Sequence, residues 1–521
     1  MTSPILQPGT HLDLTLTDMA YGGEAVGRAG GSVVFAWGGI TGEAVTVTVE
    51  QTRRDLVRGP VTAVLAPSPA RTVPPCPYFG PCGGCQWQHI TYPAQVEFKT
   101  HILREQLRRL GGVASSTLER AIQPATGMTD PWHYRNSSTF QVDATTRKLG
   151  YYRRDSHAVV PVATCPISET GINDLLAGLQ GVIDSHAVAE PTTPERVELH
   201  APVPVALRAR PVAGLLHIWQ VTIRTGTGLD GTGEGMIVLY TQPTELTPAA
   251  PRGRRPASVE PRPAMHVPRK SLRRWVEHLP GRVTVVEAAA GGTLEPVGIS
   301  PAASAALSDD AAETTMRGAA GKRLYAEPTL QPLAVLRQRL AGQPFWIAPT
   351  AFFQVNTAQA QVLVEQVAAA LPEPVDLLID AYCGGGMFAL ALLGLGRARR
   401  VMGIESDPAA VESARWTCHL RHIGPEQAEW HLGRTEDVLP TLDGTPDAVL
   451  LDPPRAGCAP AVITHLLERP VPRLIYVSCD PSTLARDVKA LSPAYRLVSA
   501  QVVDLFPQTF HIETVAVLEQ V

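Results

Sequence analysis

Two groups of side chains in this sequence have the types and spacing to do chemistry. The first is Cys76-Pro-Tyr-Phe-Gly-Pro-Cys82-Gly-Gly-Cys85. Three thiols within ten residues, with Gly83 and Gly84 free to fold the backbone inward, make a metal-binding pattern. A fourth ligand is needed, and Cys165, in Ala-Thr-Cys-Pro-Ile, is the candidate. Four thiolates suit zinc or a [4Fe–4S] cluster, and spacing alone does not choose between them.

The second group lies in the last third of the chain. An acid, Asp380, runs into Ala-Tyr382-Cys-Gly384-Gly-Gly, where the glycines allow positive φ and a close backbone approach to a ligand. Twenty-five residues later Gly-Ile-Glu405 supplies an acid that can accept hydrogen bonds from both ribose hydroxyls of a nucleoside. The pair signals a nucleoside cofactor, not the dinucleotide fingerprint, which needs G-x-G-x-x-G. Asp452 is followed by Pro-Pro-Arg455, whose prolines fix the backbone and hold the carboxylate in place. A thiol, Cys479, stands in Tyr-Val-Ser-Cys-Asp-Pro, and Glu513 follows Phe506-Pro-Gln-Thr-Phe-His511-Ile. Cys383, Cys418 and Cys458 compete for a nucleophile's role. Cys418 reads as helix core, Cys383 would crowd the cofactor turn, and Cys458 is not excluded by position. Cys479 leads because it has a strand-end address and a distant acid to work with.

Positioning these groups requires specific elements. From about residue 350 helices alternate with short apolar strands: helix 357–371, strand 376–380, helix 387–395, strand 400–405, helix 408–421, a strand near 429–432, strand 447–452, helix 459–468, strand 474–478 and a last strand at 514–518. This alternation predicts a parallel sheet with helices on both faces. Ligands of such sheets bind at the carboxyl ends of the strands, where Asp380, Glu405, Asp452 and Cys479 fall. At the other end of the chain, residues 11–66 alternate on a two-residue period, as in Leu12, Leu14 and Leu16, with glycine pairs between the runs. Four or five short strands in this length predict a small β-barrel. Between them, Tyr92–Leu110 has the spacing of an amphipathic helix, and 132–165 and 198–241 read as strands. The fold class is therefore α/β and β multidomain: a barrel over 1–66, a central α+β domain over 67–345, and a Rossmann-like domain over 346–521. Within the central domain, 245–320 is rich in Pro, Ala, Gly and Arg and reads as a loosely structured insertion.

Composition agrees. Of 521 residues, 44% are hydrophobic and 18% charged, enough apolar matter for cores and too little charge for dominant disorder. No basic segment precedes an apolar run at the N-terminus, and the least polar stretch, 381–396, holds five glycines and is shorter than the ~18 to 20 residues of a membrane span. A cytoplasmic, monomeric protein without membrane contact is expected, and eight cysteines in a reducing compartment point to metal or catalysis. The net charge of −4 hides an uneven distribution. Residues 346–521 carry 12 basic and 20 acidic groups, whereas within 251–282 nine Arg or Lys face only Glu260 and Glu277. That stripe can contact phosphates.

Five motifs now carry a resemblance. Phe352-Phe-Gln354-Val-Asn, Asp380-Ala-Tyr-Cys-Gly-x-Gly, Asp452-Pro-Pro-Arg, Val477-Ser-Cys479 and His511-x-Glu513 occur in the order seen in RNA uracil-5-methyltransferases. The cysteine motif, Cys165-Pro-Ile and Tyr134-Arg-Asn resemble the iron–sulfur branch that methylates 23S ribosomal RNA. The opening barrel, with Gly22-Gly-Glu-Ala-Val-Gly-Arg, is similar to a TRAM domain, an OB-like RNA-binding barrel. The resemblance implies S-adenosyl-L-methionine as methyl donor, a [4Fe–4S] cluster on Cys76, Cys82, Cys85 and Cys165, and 23S ribosomal RNA as partner; the alternatives are a transfer-RNA T loop as substrate, or an RNA-binding metal protein with a silent methyltransferase fold. It further implies Cys479 as nucleophile, Glu513 as base, and Gln354, Tyr382, Gly384, Glu405 and Asp452 around the donor. Two residues depart from the family pattern: Met387 stands where many members have Asn, and Asp480 replaces the usual Asn after the nucleophile. The latter adds negative charge beside Cys479.

Overall fold

The computed structural model describes residues 7–53, 56–185, 215–228, 231–241, 264–279, 281–289, 294–300, 335–371 and 373–521. The first six strands are β1 (His11–Met19), β2 (Ala25–Ala29), β3 (Ser32–Trp37), β4 (Ala44–Thr48), β5 (Gln51–Arg53) and β6 (Leu56–Ala66). Strands β1, β2, β3, β6 and β4 pair in a closed ring, completed by the parallel β3–β6 contact, and β5 rides on β6. The two-residue period explains the closure. Leu14, Leu16, Val34, Ala36, Val45, Val47 and Val57 all point into the barrel and are buried. This core continues outward through Trp87 and the helix Tyr92–Arg109, by Ile102, Leu103 and Leu107, to Leu484 and Val488 of the C-terminal region. The barrel is thus packed onto the body that carries the second chemical group.

The central sheet runs β14-β13-β11-β10-β7-β8-β9, with β12 beside β10. Its strands are β7 (Ser137–Asp143), β8 (Lys148–Tyr152), β9 (Val159–Pro161), β10 (Leu215–Gly226), β11 (Glu234–Thr241), β12 (Met265–Pro268), β13 (Arg282–Ala288) and β14 (Leu294–Ile299). Both faces of β11 are covered. Ile237 and Leu239 pack with Leu175 and Leu179 of the helix Thr170–Ser185 and with Leu272, whereas Met236 and Val238 join the core of the C-terminal region. That is why Met-Ile-Val-Leu reads as an unbroken apolar run.

The sequence reading of 245–320 as a loose insertion is corrected for its described part. Residues 264–300 supply β12, the helix Arg269–Val276, β13 and β14 to the sheet. The arginines that looked like a solvated stripe are partly engaged in this fold. Arg269 bonds Glu287, Arg282 lies 3.6 Å from Glu234, and Arg273 Nε donates to the Val297 carbonyl at 3.3 Å. Arg252, Arg254, Arg255 and Arg262 lie outside the described residues.

A short hairpin, β15 (Leu336–Leu340) and β16 (Gln343–Ile347), leads into the seven-stranded C-terminal sheet. Its strands are β17 (Val375–Ala381), β18 (Ala398–Glu405), β19 (Ala428–Leu432), β20 (Ala448–Leu451), β21 (Arg473–Ser478), β22 (Tyr495–Val503) and β23 (Glu513–Gln520), in the order β19-β18-β17-β20-β21-β23-β22. The five strands from β19 to β21 are parallel, as expected. Beyond that run, β22 and β23 form an antiparallel hairpin with β23 inserted beside β21. Among the described residues, no helix is long and apolar enough to cross a membrane.

Candidate active site and thiol pocket

The order of strands reverses between β17 and β20, which are neighbours although two strands intervene in sequence. Their carboxyl ends therefore frame a crevice. Asp380 is the penultimate residue of β17 on one side and Asp452 follows β20 on the other, with the Asp452 amide donating to the Ala381 carbonyl at 3.3 Å. The glycine turn folds as its composition requires. Gly384 has φ +54° and Gly386 φ +77°, and a Cβ on Gly386 would lie 2.5 Å from the Trp430 ring. Asp380 anchors the helix beyond the turn, its Oδ2 accepting the Ala389 amide at 3.1 Å.

Glu405 is locked by three amides. Gly384 donates to its Oε2 at 3.0 Å, and Ser406 and Asp407 donate to its Oε1 at 2.6 and 2.7 Å. The carboxylate is fixed with lone pairs to spare for a diol. Tyr382 adopts φ +68°, a left-handed conformation that a tyrosine holds only where its surroundings impose it. Gln354 Oε1 is buried without a hydrogen-bond partner. Buried polar atoms are nearly always paired, so this one marks a place where a polar ligand is accommodated. Gln354 itself is held from behind, its carbonyl accepting Asn136 Nδ2 at 3.1 Å.

Gln354, Tyr382, Gly384, Glu405, Asp452, Cys479 and Glu513 all line one cavity of 680 Å³, the size of a small-molecule site. Met387 is part of the same wall. Cys479 follows β21 directly and Glu513 opens β23; the register pair Ser478–Thr514 leaves them opposite each other at the end of the ladder. Burial pushes the Cys479 thiol up to about 12, reinforced by Glu513 and Asp452, while Arg455 opposes the shift. Glu513 is raised well above the carboxylate range by burial and then Asp452, again opposed by Arg455. Asp452 is pushed up to about 7 by burial and Glu405. An acid-rich cavity of this kind favours a positively charged guest, whose arrival lowers all three values. His511, with Nδ1 3.2 Å from the Arg455 guanidinium, is pushed down to about 3 by burial and by Arg455, and its ring is neutral.

The other thiols sit elsewhere. Cys418 is in the core of its helix, where it accepts Trp430 Nε1 at 3.4 Å. Cys458 is buried 3.7 Å from the Tyr476 hydroxyl and is not part of the cavity wall. Cys383 lines the cavity but lies in the glycine turn, 3.7 Å from the Gly384 carbonyl. Asp480 caps the helix Pro481–Leu491, its Oδ1 accepting the Ser482 and Thr483 amides at 2.9 and 3.2 Å. Asp and Asn cap helices equally well, which accounts for the acid at this position.

Sequence reasoning missed one contributor. Tyr21, in the turn between β1 and β2, lies near Asp480, its hydroxyl being raised by burial together with that acid, and meets Phe510 edge-on, with ring centroids 6.0 Å apart. Its Tyr-Gly-Gly context signalled only a barrel turn, and nothing local connects residue 21 to residue 480.

Cys76, Cys82, Cys85 and Cys165 line a second, smaller cavity of 70 Å³, with Tyr78, Phe79 and Tyr151 in its wall. Burial raises the thiols of Cys76 and Cys82, and pushes Cys85 up to about 12. Among the described residues, no three His, Cys, Asp or Glu side chains are close enough together to hold one metal ion. The cavity has room for several atoms, since a single water needs ~10–15 Å³ of such space. Four soft thiols are the donor type that an iron–sulfur cluster takes, but the four do not stand together as a metal-binding group among the described residues.

Comparison with known proteins follows this geometry. Residues 441–521 match the family model described as tRNA (Uracil-5-)-methyltransferase. The chain is 31% identical to an uncharacterized RNA methyltransferase of Listeria monocytogenes, over 99% of this chain and 98% of that protein. It is 30% identical to another from Thermosynechococcus vestitus, over 99% of both. The crystal structure of Pyrococcus abyssi tRNA (uracil-54, C5)-methyltransferase in complex with S-adenosyl-L-homocysteine has the same fold, with a TM-score of 0.61 at 20% identity, covering 97% of this chain and 100% of that one.

Proposed function

The chain belongs to the RNA uracil-5-methyltransferase family, and from that membership we propose that it methylates C5 of a uridine in 23S ribosomal RNA by way of a covalent adduct on Cys479. The observation that carries this reading is the shared cavity: a thiol and a carboxylate opposite each other on one sheet edge, beside a nucleoside-type pocket. S-adenosyl-L-methionine supplies the methyl group as a sulfonium, and Gln354, Tyr382, Gly384, Glu405 and Asp452 would hold it.

Uracil C5 is a poor nucleophile. Cys479 adds to C6, which places carbanion character at C5 and makes that carbon able to accept the methyl group. Glu513 then takes the C5 proton, the C6–S bond breaks, and the thiol leaves with the ring restored to aromaticity. Burial raises both residues, so each must be brought to its charged form before it can attack or take a proton. Arg455 is the cation that favours the charged form of both, and it stands on the same wall. The target base must leave its stack to reach the thiol. RNA binding falls to the barrel and the basic central region, with Tyr21 linking the barrel to the reacting edge.

We assign the thiol pocket to a structural [4Fe–4S] cluster held by Cys76, Cys82, Cys85 and Cys165, tying the segment after the barrel to the loop before Cys165. The size of the cavity and its four-thiol lining support a cluster over a single ion. The likeness of the cysteine motif, Cys165-Pro-Ile and Tyr134-Arg-Asn to the ribosomal branch supports ribosomal RNA. A transfer-RNA T-loop uridine is the second reading, favoured by the description of the matched family model. Labelled methyl transfer to unmodified 23S and transfer-RNA transcripts, with 5-methyluridine mapped in cells with and without the gene, decides between them. Absence of 5-methyluridine from both RNAs would refute the proposal.

A further inference from the structure

The connection between β22 and β23 carries the cavity residues Phe506 and His511 and ends in Glu513, and its two ends are register partners, Val503 and Glu513. Two side chains from a distant helix, Tyr92–Arg109, reach into it. Gln95 and Lys99 are four residues apart, hence on one face, and both are fully buried. Lys99 Nζ donates to Asp504 Oδ1 at 2.6 Å and to the Phe506 carbonyl at 3.0 Å. Gln95 pairs reciprocally with Gln508: its Nε2 donates to Gln508 Oε1 at 3.0 Å, and its Oε1 accepts the Gln508 amide at 2.9 Å. The Gln508 carbonyl also accepts the Gln86 and Trp87 amides, at 3.1 and 3.0 Å.

These bonds converge on a strained residue. Gln508 has φ +69°, a conformation unfavourable for a side chain with a Cβ and retained only where neighbours over-determine it. A buried ion pair is likewise a poor means of gluing two segments, because apolar side chains do so without desolvating charge. Its merit is direction: it fixes one loop geometry. We propose that Gln95 and Lys99 are positioning residues for the reaction, holding the Asp504–Gln508 segment so that Glu513 and its neighbours on the connection present one fixed geometry to the covalent intermediate. This inference rests on the uracil-5 reading for the identity of the step affected, but not for the existence of the clamp.

The experiment uses the full chain with Gln95→Leu and, separately, the double variant Lys99→Met/Asp504→Asn, which leaves no buried charge unpaired. Backbone hydrogen exchange at 504–511 is measured without RNA, and rates of adduct formation and product release are measured in single turnovers. Adduct formation is followed with RNA containing 5-fluorouridine, which has no C5 proton to lose. The expected result is faster exchange across 504–511, adduct formation within about twofold of wild type, and product release at least tenfold slower, so that a methylated protein–RNA adduct accumulates on uridine RNA. Unchanged exchange overturns the clamp whatever the enzyme's substrate. Equal slowing of every step, with a lower melting temperature, also overturns it, because a merely destabilised fold loses all steps together. Failure of the wild-type chain to form any adduct with 5-fluorouridine RNA counts against the uracil-5 reading, and the exchange measurement then judges the clamp alone.

Discussion

Cys479 and Glu513 stand opposite each other at the end of the β21–β23 ladder, each one residue beyond the register pair Ser478–Thr514. Nucleophile and base therefore share a rigid antiparallel pairing, although 34 positions separate them in sequence. The pairing also makes each group the electrostatic neighbour of the other, since Glu513 is the largest charged influence raising the Cys479 thiol.

A first prediction concerns activation of that thiol. At about 12, Cys479 is almost entirely protonated at pH 7 to 8 in the empty cavity. A bound sulfonium places positive charge near Asp452 and Glu513 and so favours the thiolate. Alkylation of Cys479, followed by mass spectrometry across pH, should have its midpoint lowered by at least one unit with S-adenosyl-L-methionine. The neutral thioether S-adenosyl-L-homocysteine should not reproduce the shift. An equal shift with both would locate the cause in closure of the site and not in charge.

Asp452 yields a stability prediction. Its carboxyl is raised from the usual range to about 7, so the folded state holds a proton that the unfolded chain releases near pH 4. The sign follows: this contribution is fully present below pH 4 and is lost as pH rises through 7. Asp452→Asn should therefore gain about 1–2 kcal/mol relative to wild type at pH 8 and nothing at about pH 3, the gain being tempered by cavity water. Thermal unfolding of both proteins at the two pH values checks it, and calorimetry should show donor binding weakened at least tenfold. A variant less stable than wild type at pH 8 would mean that the carboxylate is stabilised by groups beyond Arg455 and the cavity.

How much of this was readable in advance depends on range. The parallel strands, the glycine turn and Glu405 could be located because each rests on neighbours within a few residues: Gly384 bonds Glu405 directly, and the turn needs positive φ at Gly384 and Gly386. Tyr21 and the Gln95–Gln508 pair were not legible. Their partners lie more than 400 residues away, and a buried Lys or Gln in an amphipathic helix looks the same in sequence as an exposed one. The region 264–300 was misjudged for a related reason. Its prolines and arginines resemble a linker by composition, yet Pro268 ends β12 and Arg269 is matched by Glu287 from another strand. The β22–β23 hairpin escaped because its long connection contains none of the turn signals of a tight hairpin.

The thiol pocket gives a prediction about composition. Protein purified without oxygen should be brown and contain about four irons per chain, with visible absorbance lost on oxidation. Cys165→Ser should lower iron content and loosen the segment around Cys76–Cys85, seen as faster hydrogen exchange there. Stoichiometric zinc with no chromophore in the anaerobic preparation would replace the cluster with a single-ion site, against the size of the cavity.

The last prediction separates the two reacting residues by the step each controls. Cys479→Ala removes the attacking sulfur, so neither a protein–RNA adduct nor 5-methyluridine should form. Glu513→Gln leaves attack and methylation possible but removes the proton acceptor, so a methylated adduct should accumulate as a band shifted by its RNA. The asymmetry is chemical: the thiol cannot depart until C5 has lost its proton. His511 is a poor substitute base, because burial and the adjacent Arg455 push it down to about 3 and any proton it took would be weakly held. Glu513→Gln also removes one of the influences that raise the thiol, so attack itself should proceed at least as fast as in wild type at pH 7. Quenched time courses on denaturing gels resolve both variants. Free turnover by the Glu513 variant would assign proton removal to water or to Asp452, and turnover by the Cys479 variant would require a thiol outside this cavity edge, with Cys458 the nearest alternative in sequence but buried away from the wall.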